Sequence, residues 1–299
     1  MKKWLFVSGA VAIIVGICVF TFTGLTFSTI IASHSNLPAT QRCLTDTAKW
    51  LKWWSKNSNC SYRIKSVFYS DVQLAVECAN DGHLVGDFRL APLDGDSVLT
   101  SWECSIPPGH PFEKVRLYWH RKERLQNMAD ILHSWKAYVE DSKNLYGGVN
   151  FNRVHSKDSA LVTIASFTSA YPTTAEVYAK IDSLRSYISS QGATAINPPW
   201  LNVTKLSDAQ YKYMVALSVN KRLAGNRRII PQRFVPWKNI EGEVHGGIYT
   251  VEKAFGQMMK YKLDYNATIV AMPYQCLITD RRQEQDTTKW VTMVCAPIS

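Results

Sequence analysis

The sequence predicts an α+β chain in three successive parts. They are an N-terminal transmembrane helix, an antiparallel sheet closed by a long helix, and a carboxyl-terminal unit in which a βαββ pattern is written twice. Three observations predict it. Trp4 to Leu25 carries no charged residue, and about 20 apolar residues span a bilayer. Four strand-like runs between Tyr62 and Ile106 are separated by Asn80-Asp-Gly82 and by Asp94-Gly-Asp96, both good turn chemistry. Leu161 to Ile298 then reads strand, helix, strand, strand, twice over, the mark of an internal duplication.

The first segment, residues 1–25, is read as a retained anchor. Its apolar run is longer than a signal-peptide core, and the nearest imitation of a cleavage site is Ser33-His-Ser35. A cleaved signal peptide is the alternative. Lys2 and Lys3 precede the run and no Lys or Arg follows until Arg42. The positive-inside rule therefore puts the soluble part on the extracytoplasmic, periplasmic side. Beyond Cys18 there are six cysteines, an even number that permits disulfides in an exported chain. Cys276 and Cys295 lie on two closing strands and are the expected pair; two buried free thiols are the alternative.

The second segment, residues 26–148, opens with a strand from Thr26 to Ser33. Asn36 to Leu44 follows as a short capped helix, with Pro38 tolerated in its first turn. Trp50 to Trp54 is an aromatic cluster. Strands are expected at Tyr62–Ser70, Val72–Ala79, Leu84–Leu93 and Val98–Ile106. Arg116 to Lys143 reads as one long helix, with Leu125, Met128, Leu132, Trp135 and Val139 as the stripe laid on the sheet. Val149 to Ser159 has polar residues without periodicity, so the domain boundary is placed there.

The third segment, residues 149–299, holds the duplication. Its first copy has a strand from Leu161 to Ala170 and a helix start at Tyr171-Pro-Thr-Thr174. Val177, Ile181, Leu184 and Ile188 form one helix face, and Gly192 is the stop. Strands Trp200–Leu206 and Tyr211–Val219 complete it. The second copy has a strand at Glu241–His245, a break at Gly246-Gly247, a helix capped by Thr250, and strands Pro273–Thr279 and Trp290–Ala296. Two such halves would enclose a groove; ordinary α+β architecture with two hairpins is the alternative.

The pieces Gly246-Gly-Ile-Tyr-Thr-Val251, Pro273-Tyr-Gln-Cys-Leu-Ile-Thr-Asp-Arg281 and Asp286-Thr-Thr-Lys-Trp-Val-Thr292, with the ending Ala296-Pro-Ile298, resemble the GyrI-like (gyrase-inhibitor-like) effector-binding domain. That resemblance implies a small-molecule pocket between two βαββ halves, taking bulky, flat, often cationic compounds; some members hydrolyse reactive xenobiotics. Many members carry a Glu where this chain has Gln275. An amide neither holds a cation's charge nor takes a proton. Arg42 to Asp46 and Lys49 to Trp54, with the element order around them, resemble the START/polyketide-cyclase-like (SRPBCC) helix-grip domains. The order of the two resemblances is similar to that of membrane-anchored bacterial proteins.

These readings lead to a membrane-anchored protein that binds a hydrophobic or aromatic small molecule, cationic or neutral. The expected site residues are Trp200, Trp237, Glu241, Glu243, Tyr249, Tyr274, Gln275 and Trp290. Flat aromatic side chains suit flat ligands, while Glu241 and Glu243 at i and i+2 share one side of a strand. The alternative is a hydrolase in the same groove, with Glu241 or Glu243 replacing the acid missing at Gln275. A third possibility is an envelope protein that binds a partner chain. No catalytic residue, cofactor or metal is expected, since the seven His residues show no metal-binding spacing. The net charge of +10 is assigned to attraction toward anionic headgroups rather than to nucleic acid.

Overall fold

The computed structural model describes residues 15–16, 25–54, 60–69, 71–78, 82–106, 111–155, 159–234 and 238–299. Nearly all of the expected transmembrane run lies outside them. Among the described residues no helix is long and apolar enough to cross a membrane. The chain forms two compact units that divide between Leu145 and Tyr146, each α+β and each built on one antiparallel sheet.

In the first unit, β1 (Leu25–Ser33) is followed by α1 (Leu37–Thr45) and the single turn α2 (Trp50–Trp53). The Asn36 side chain accepts from the Ala39 amide, satisfying one of the free donors at the start of α1. Strands β2 (Cys60–Val67), β3 (Asp71–Cys78), β4 (Gly82–Leu93) and β5 (Ser97–Ile106) run as a meander. β1 returns to pair with β5, so the sheet order is β1-β5-β4-β3-β2. The expected long helix is in fact three: α3 (Pro111–Trp119), α4 (Arg121–Glu140) and α5 (Ser142–Leu145). His120 leaves helical geometry at φ −93°, ψ 11°, and Asp141 is extended at φ −82°, ψ 103°, which breaks the run at both places. Met128, Leu132, Trp135 and Val139 are buried as expected, whereas Leu125 is exposed. The space between sheet and helices is packed with aromatic rings. Trp50, Trp53, Trp54, Phe88, Trp102 and Trp135 lie together in one core, and Trp53 and Trp135 meet edge to face at 4.7 Å.

In the second unit, β6 (Phe151–His155) leads into β7 (Ser159–Thr168), α6 (Thr174–Ser190), β8 (Trp200–Ser207) and β9 (Gln210–Val219). Then β10 (Ile230–Phe234) leads into β11 (Lys238–His245), α7 (Ile248–Asp264), β12 (Tyr274–Leu277) and β13 (Val291–Ile298). The segment expected to be an irregular boundary therefore contains β6. The sheet order is β10-β7-β9-β8-β12-β13-β11-β6, which reads the same from either edge when the two halves are exchanged. The strand that precedes each half pairs with the other half: β6 with β11 and β10 with β7. Equivalent points are separated by a constant step of 74 residues (174 to 248, 192 to 266, 200 to 274). They mark the two helix starts, the two left-handed residues Gly192 and Asn266 that end the helices, and the first residue of the inner strand. Alignment at this step puts Trp200 on Tyr274.

Local chemistry explains both helices. Thr173 and Glu176 form a reciprocal capping box at α6, as the sequence suggests. At α7 the cap is Gly247, and Thr250, expected to be the cap, lies inside the first turn. Gly246 at φ +130° turns the chain into the helix before Thr250 is reached. One further glycine is required by space: a Cβ on Gly242 would stand 2.6 Å from the Phe151 ring and 2.8 Å from Val149.

Candidate functional site

Cross-strand partners share a face of the sheet, so the register sorts the candidate residues. Leu201 and Val203 of β8 pair with Val215 and Tyr213, members of the core under α6. Gln275 pairs with Leu201 and with Val294. All of these side chains lie on the helix-bearing face. α6 packs chiefly on β9 and β7, while α7 packs on β11 and β13. Between the helices, over the seam of β8 and β12, runs a groove of about 460 Å³. The first half contributes Tyr171 and β8 from Leu201 to Lys205; the second contributes Phe255 and Met259 of α7, with Met272, Pro273 and Gln275.

At Gln275 the lining of the groove meets a buried polar cluster. Gln275 donates from Nε2 to the Tyr171 hydroxyl at 3.3 Å. Its Oε1 accepts from Nη2 of Arg281 at 3.2 Å. The same Nη2 donates to Thr292 Oγ1 at 3.0 Å, and the guanidinium stacks 4.8 Å from the centre of the Trp290 ring. The Arg281 amide donates to the Tyr178 hydroxyl at 2.9 Å, and that hydroxyl donates to the Thr279 carbonyl at 3.2 Å. Gln275 is 3 % exposed and Arg281 9 %. Burial lowers the arginine's pKa and raises those of Tyr171 and Tyr178. Glu252 stands at the exposed rim of the groove, and Lys205 at the same rim is paired with Asp208 at 2.8 Å.

The residues singled out in the sequence do not come together as one site. Gln275 lines the groove. Trp200 and Tyr274 stack across the seam with centres 4.3 Å apart, but they lie on the opposite face, beside a cavity of about 120 Å³. Glu241 is on that opposite face too, half-buried and accepting from Asn239 at 3.3 Å. Glu243 is exposed and lies 2.8 Å from His245. Period 2 put the two acids on one side of the strand correctly, and that side is the one away from the groove. Tyr249 is 79 % exposed, and with Trp290 it borders a depression of about 520 Å³. Trp237 lies outside the described residues.

The expected disulfide is not formed. Cys276 and Cys295 are free thiols with Sγ atoms 3.9 Å apart. Their partners in the ladder are Met293 and Tyr274, so the two cysteines sit diagonally, not opposite each other. A hydrogen bond to Cys276, followed by burial, raises the Cys295 pKa. In the sequence Arg281 falls in the charged run Asp280-Arg-Arg-Gln-Glu-Gln-Asp286 between two strands. The available signal was its place next to Asp280, four residues beyond Leu277 at the end of β12, but a single arginine there reads equally well as surface. Phe255 and Met259, four residues apart on α7, form a groove wall that the sequence reading did not single out.

No protein-family model matches the chain, and no curated protein matches it. Solved structures with a similar fold include EcmrR in its complex with DNA. That match has 14 % identity over 63 % of this chain and 72 % of that one, with a TM-score of 0.46. A hydrolase from Listeria innocua matches at 12 % identity over 50 % and 92 %, with a TM-score of 0.40. SAV2435 bound to tetraphenylphosphonium matches at 15 % identity over 50 % and 94 %, with a TM-score of 0.33. With scores below 0.5 and such different roles among them, these likenesses decide neither ligand nor activity. The groove has to be read from its own residues.

Several concavities compete for that reading. A larger one, about 670 Å³, lies beside Lys221, Arg222 and Leu223 of the first half and Pro231, Gln232 and Arg233 of β10. The 460 Å³ groove is smaller, but the buried Gln275 stands in its lining, whereas Lys221, Arg222, Gln232 and Arg233 of the larger hollow are all exposed. Convergence of two elements on a mostly apolar hollow with a few fixed polar groups is the usual build of a ligand site, and volume alone is not. No cluster of His, Cys, Asp and Glu with metal-ligand geometry occurs among the described residues.

Proposed function

We propose that this chain is a membrane-tethered small-molecule-binding protein whose ligand lies in the groove over the β8–β12 seam. Binding is by apolar burial and shape, without covalent chemistry. The carrying observation is the 460 Å³ hollow built jointly by the two halves of a duplicated βαββ unit. Its size falls within the roughly 300–1,000 Å³ of ordinary ligand pockets. Tyr171 and Phe255 offer ring surface for a flat guest. The resemblance of residues 246–298 to GyrI-like domains supports the same reading. The tether is supported by the uncharged run Trp4 to Leu25 behind Lys2 and Lys3.

Calorimetric titration of the full chain with a panel of flat aromatic compounds tests the binding. Saturable heat that is abolished in Met259→Trp, which fills the groove, is the expected result. Equal heat in both proteins would place the ligand elsewhere. The tether predicts that the expressed chain stays in the membrane pellet through an alkaline wash; release into the supernatant would remove that part of the proposal. The hydrolase reading gains nothing from the geometry, because Glu241 and Glu243 face away from the groove and Glu252 stands only at its rim.

A further inference from the structure

Behind Gln275, outside the groove's own lining, lies a charge that no carboxylate among the described residues neutralises. Arg282, on the surface, has Asp280 and Asp182 both at 2.9 Å. Arg281 is nine-tenths buried, and no carboxylate among the described residues lies within ion-pair distance of it. Its Nη2 is occupied by Gln275 and Thr292, whereas Nε and Nη1 donate to no described atom. A guanidinium does not deprotonate in a protein. A buried cation without an anion is costly, and hydrogen bonds to neutral oxygens offset only part of that cost. The Trp290 ring offsets a further part.

The second observation is the way Gln275 is placed. Its amide oxygen binds the guanidinium and its amide nitrogen holds the groove-lining Tyr171 hydroxyl by a long 3.3 Å bond. The amide therefore stands between the hollow and the arginine. Its oxygen occupies the position that a carboxylate oxygen of a guest would take. Replacing a neutral acceptor with an anionic one strengthens a hydrogen bond to arginine, most of all in the bidentate form.

We propose that Arg281 makes the groove selective for anions, so that the ligand is a flat apolar molecule bearing one carboxylate, seated on the guanidinium in place of the Gln275 oxygen. This rests on the groove reading above and reverses the charge preference that the GyrI-like resemblance implies. Glu252 at the exposed rim adds negative charge near Tyr171. It disfavours entry of an anion through long-range repulsion, which salt and solvent screen; the buried arginine is not screened in this way.

The test is calorimetry on the full chain with three probes of one shape: 2-naphthoate, 2-naphthalenemethanol and 2-naphthylmethylammonium. Naphthoate is expected to bind roughly ten- to hundredfold tighter than the neutral alcohol, with the ammonium weakest. In Arg281→Met naphthoate should fall to the level of the alcohol. Gln275→Glu decides the matter should Arg281→Met fail to fold. It supplies an internal carboxylate, so it should raise the melting temperature and remove the preference for naphthoate over the alcohol. Ammonium binding as tight as naphthoate, or a naphthoate preference that survives Gln275→Glu, would overturn the proposal. Binding of none of the three probes would overturn the groove itself, a different failure from loss of charge preference.

Discussion

Both units lay helices against one face of an antiparallel sheet, and they fill the space between in opposite ways. In the first, Trp50, Trp53, Trp54, Phe88, Trp102 and Trp135 meet in one buried cluster. The Trp135 indole even finds a partner there, donating to Thr100 Oγ1 at 3.0 Å. In the second, α6 and α7 each cover their own half, and the seam between the halves is left to smaller residues such as Val203 and Met259. A large aromatic side chain aimed at the interior makes a solid core. The same side chain aimed at the other face, as Trp200 and Tyr274 are, leaves the interior open. Where bulk points therefore decides which unit has room for a guest, more than how much bulk there is.

The contrast is broken most severely by removing bulk from the solid unit. Trp135→Ala should cost about 3–5 kcal/mol of stability, since the side chain is fully buried and loses a hydrogen bond besides. Urea unfolding measures it; a cost under about 1 kcal/mol would show that the aromatic interior is loosely packed. Ligand affinity in the groove should be unaffected.

Overfilling the second unit is the next largest effect. Gly242→Ala drives a methyl into the Phe151 ring and Val149, and overpacking of this kind costs about 1–3 kcal/mol. The pairing of β6 with β11 should weaken first, seen as faster amide hydrogen exchange in Phe151–His155. Unchanged exchange there would mean that β6 is held by something other than this packing.

The smallest expected effect sits at the start of α6. Thr173→Ala removes the capping hydroxyl, a loss of about 1 kcal/mol. Hydrogen bonds from the Thr173 amide and hydroxyl hold the Glu176 carboxyl below the usual carboxylate range. A depressed pKa contributes stability above the unfolded value and loses it as pH falls through the folded one. The gap in melting temperature between the two proteins should accordingly narrow between pH 7 and pH 3. A gap that widens in acid would contradict that cause.

How much of this was legible in the sequence follows the same division. Period-2 runs and turn chemistry located β2 to β5, because each strand there has one face in the core and one outside it. The duplication was legible from order alone, since strand, helix, strand and strand recur in the same succession. The break at His120 was not, because no Pro or Gly marks it between Phe112 and Tyr146. The site residues were chosen as aromatics and acids near the duplicated strands. Sequence shows which of them alternate, not which face the helices cover, so it did not show that Trp200, Tyr274, Glu241 and Glu243 lie on the face away from the groove. Arg281 was overlooked for a related reason: nothing in a charged turn tells which of two adjacent arginines turns inward and which finds the carboxylates.

The account stands on where a guest sits, and a crystal structure of the full chain soaked with 2-naphthoate measures that directly. Ring density between Val203, Phe255 and Met259, with its carboxylate against Arg281 and the Gln275 side chain displaced, is the predicted result. Density beside Trp200 and Tyr274 on the opposite face, with the seam unchanged, would contradict it.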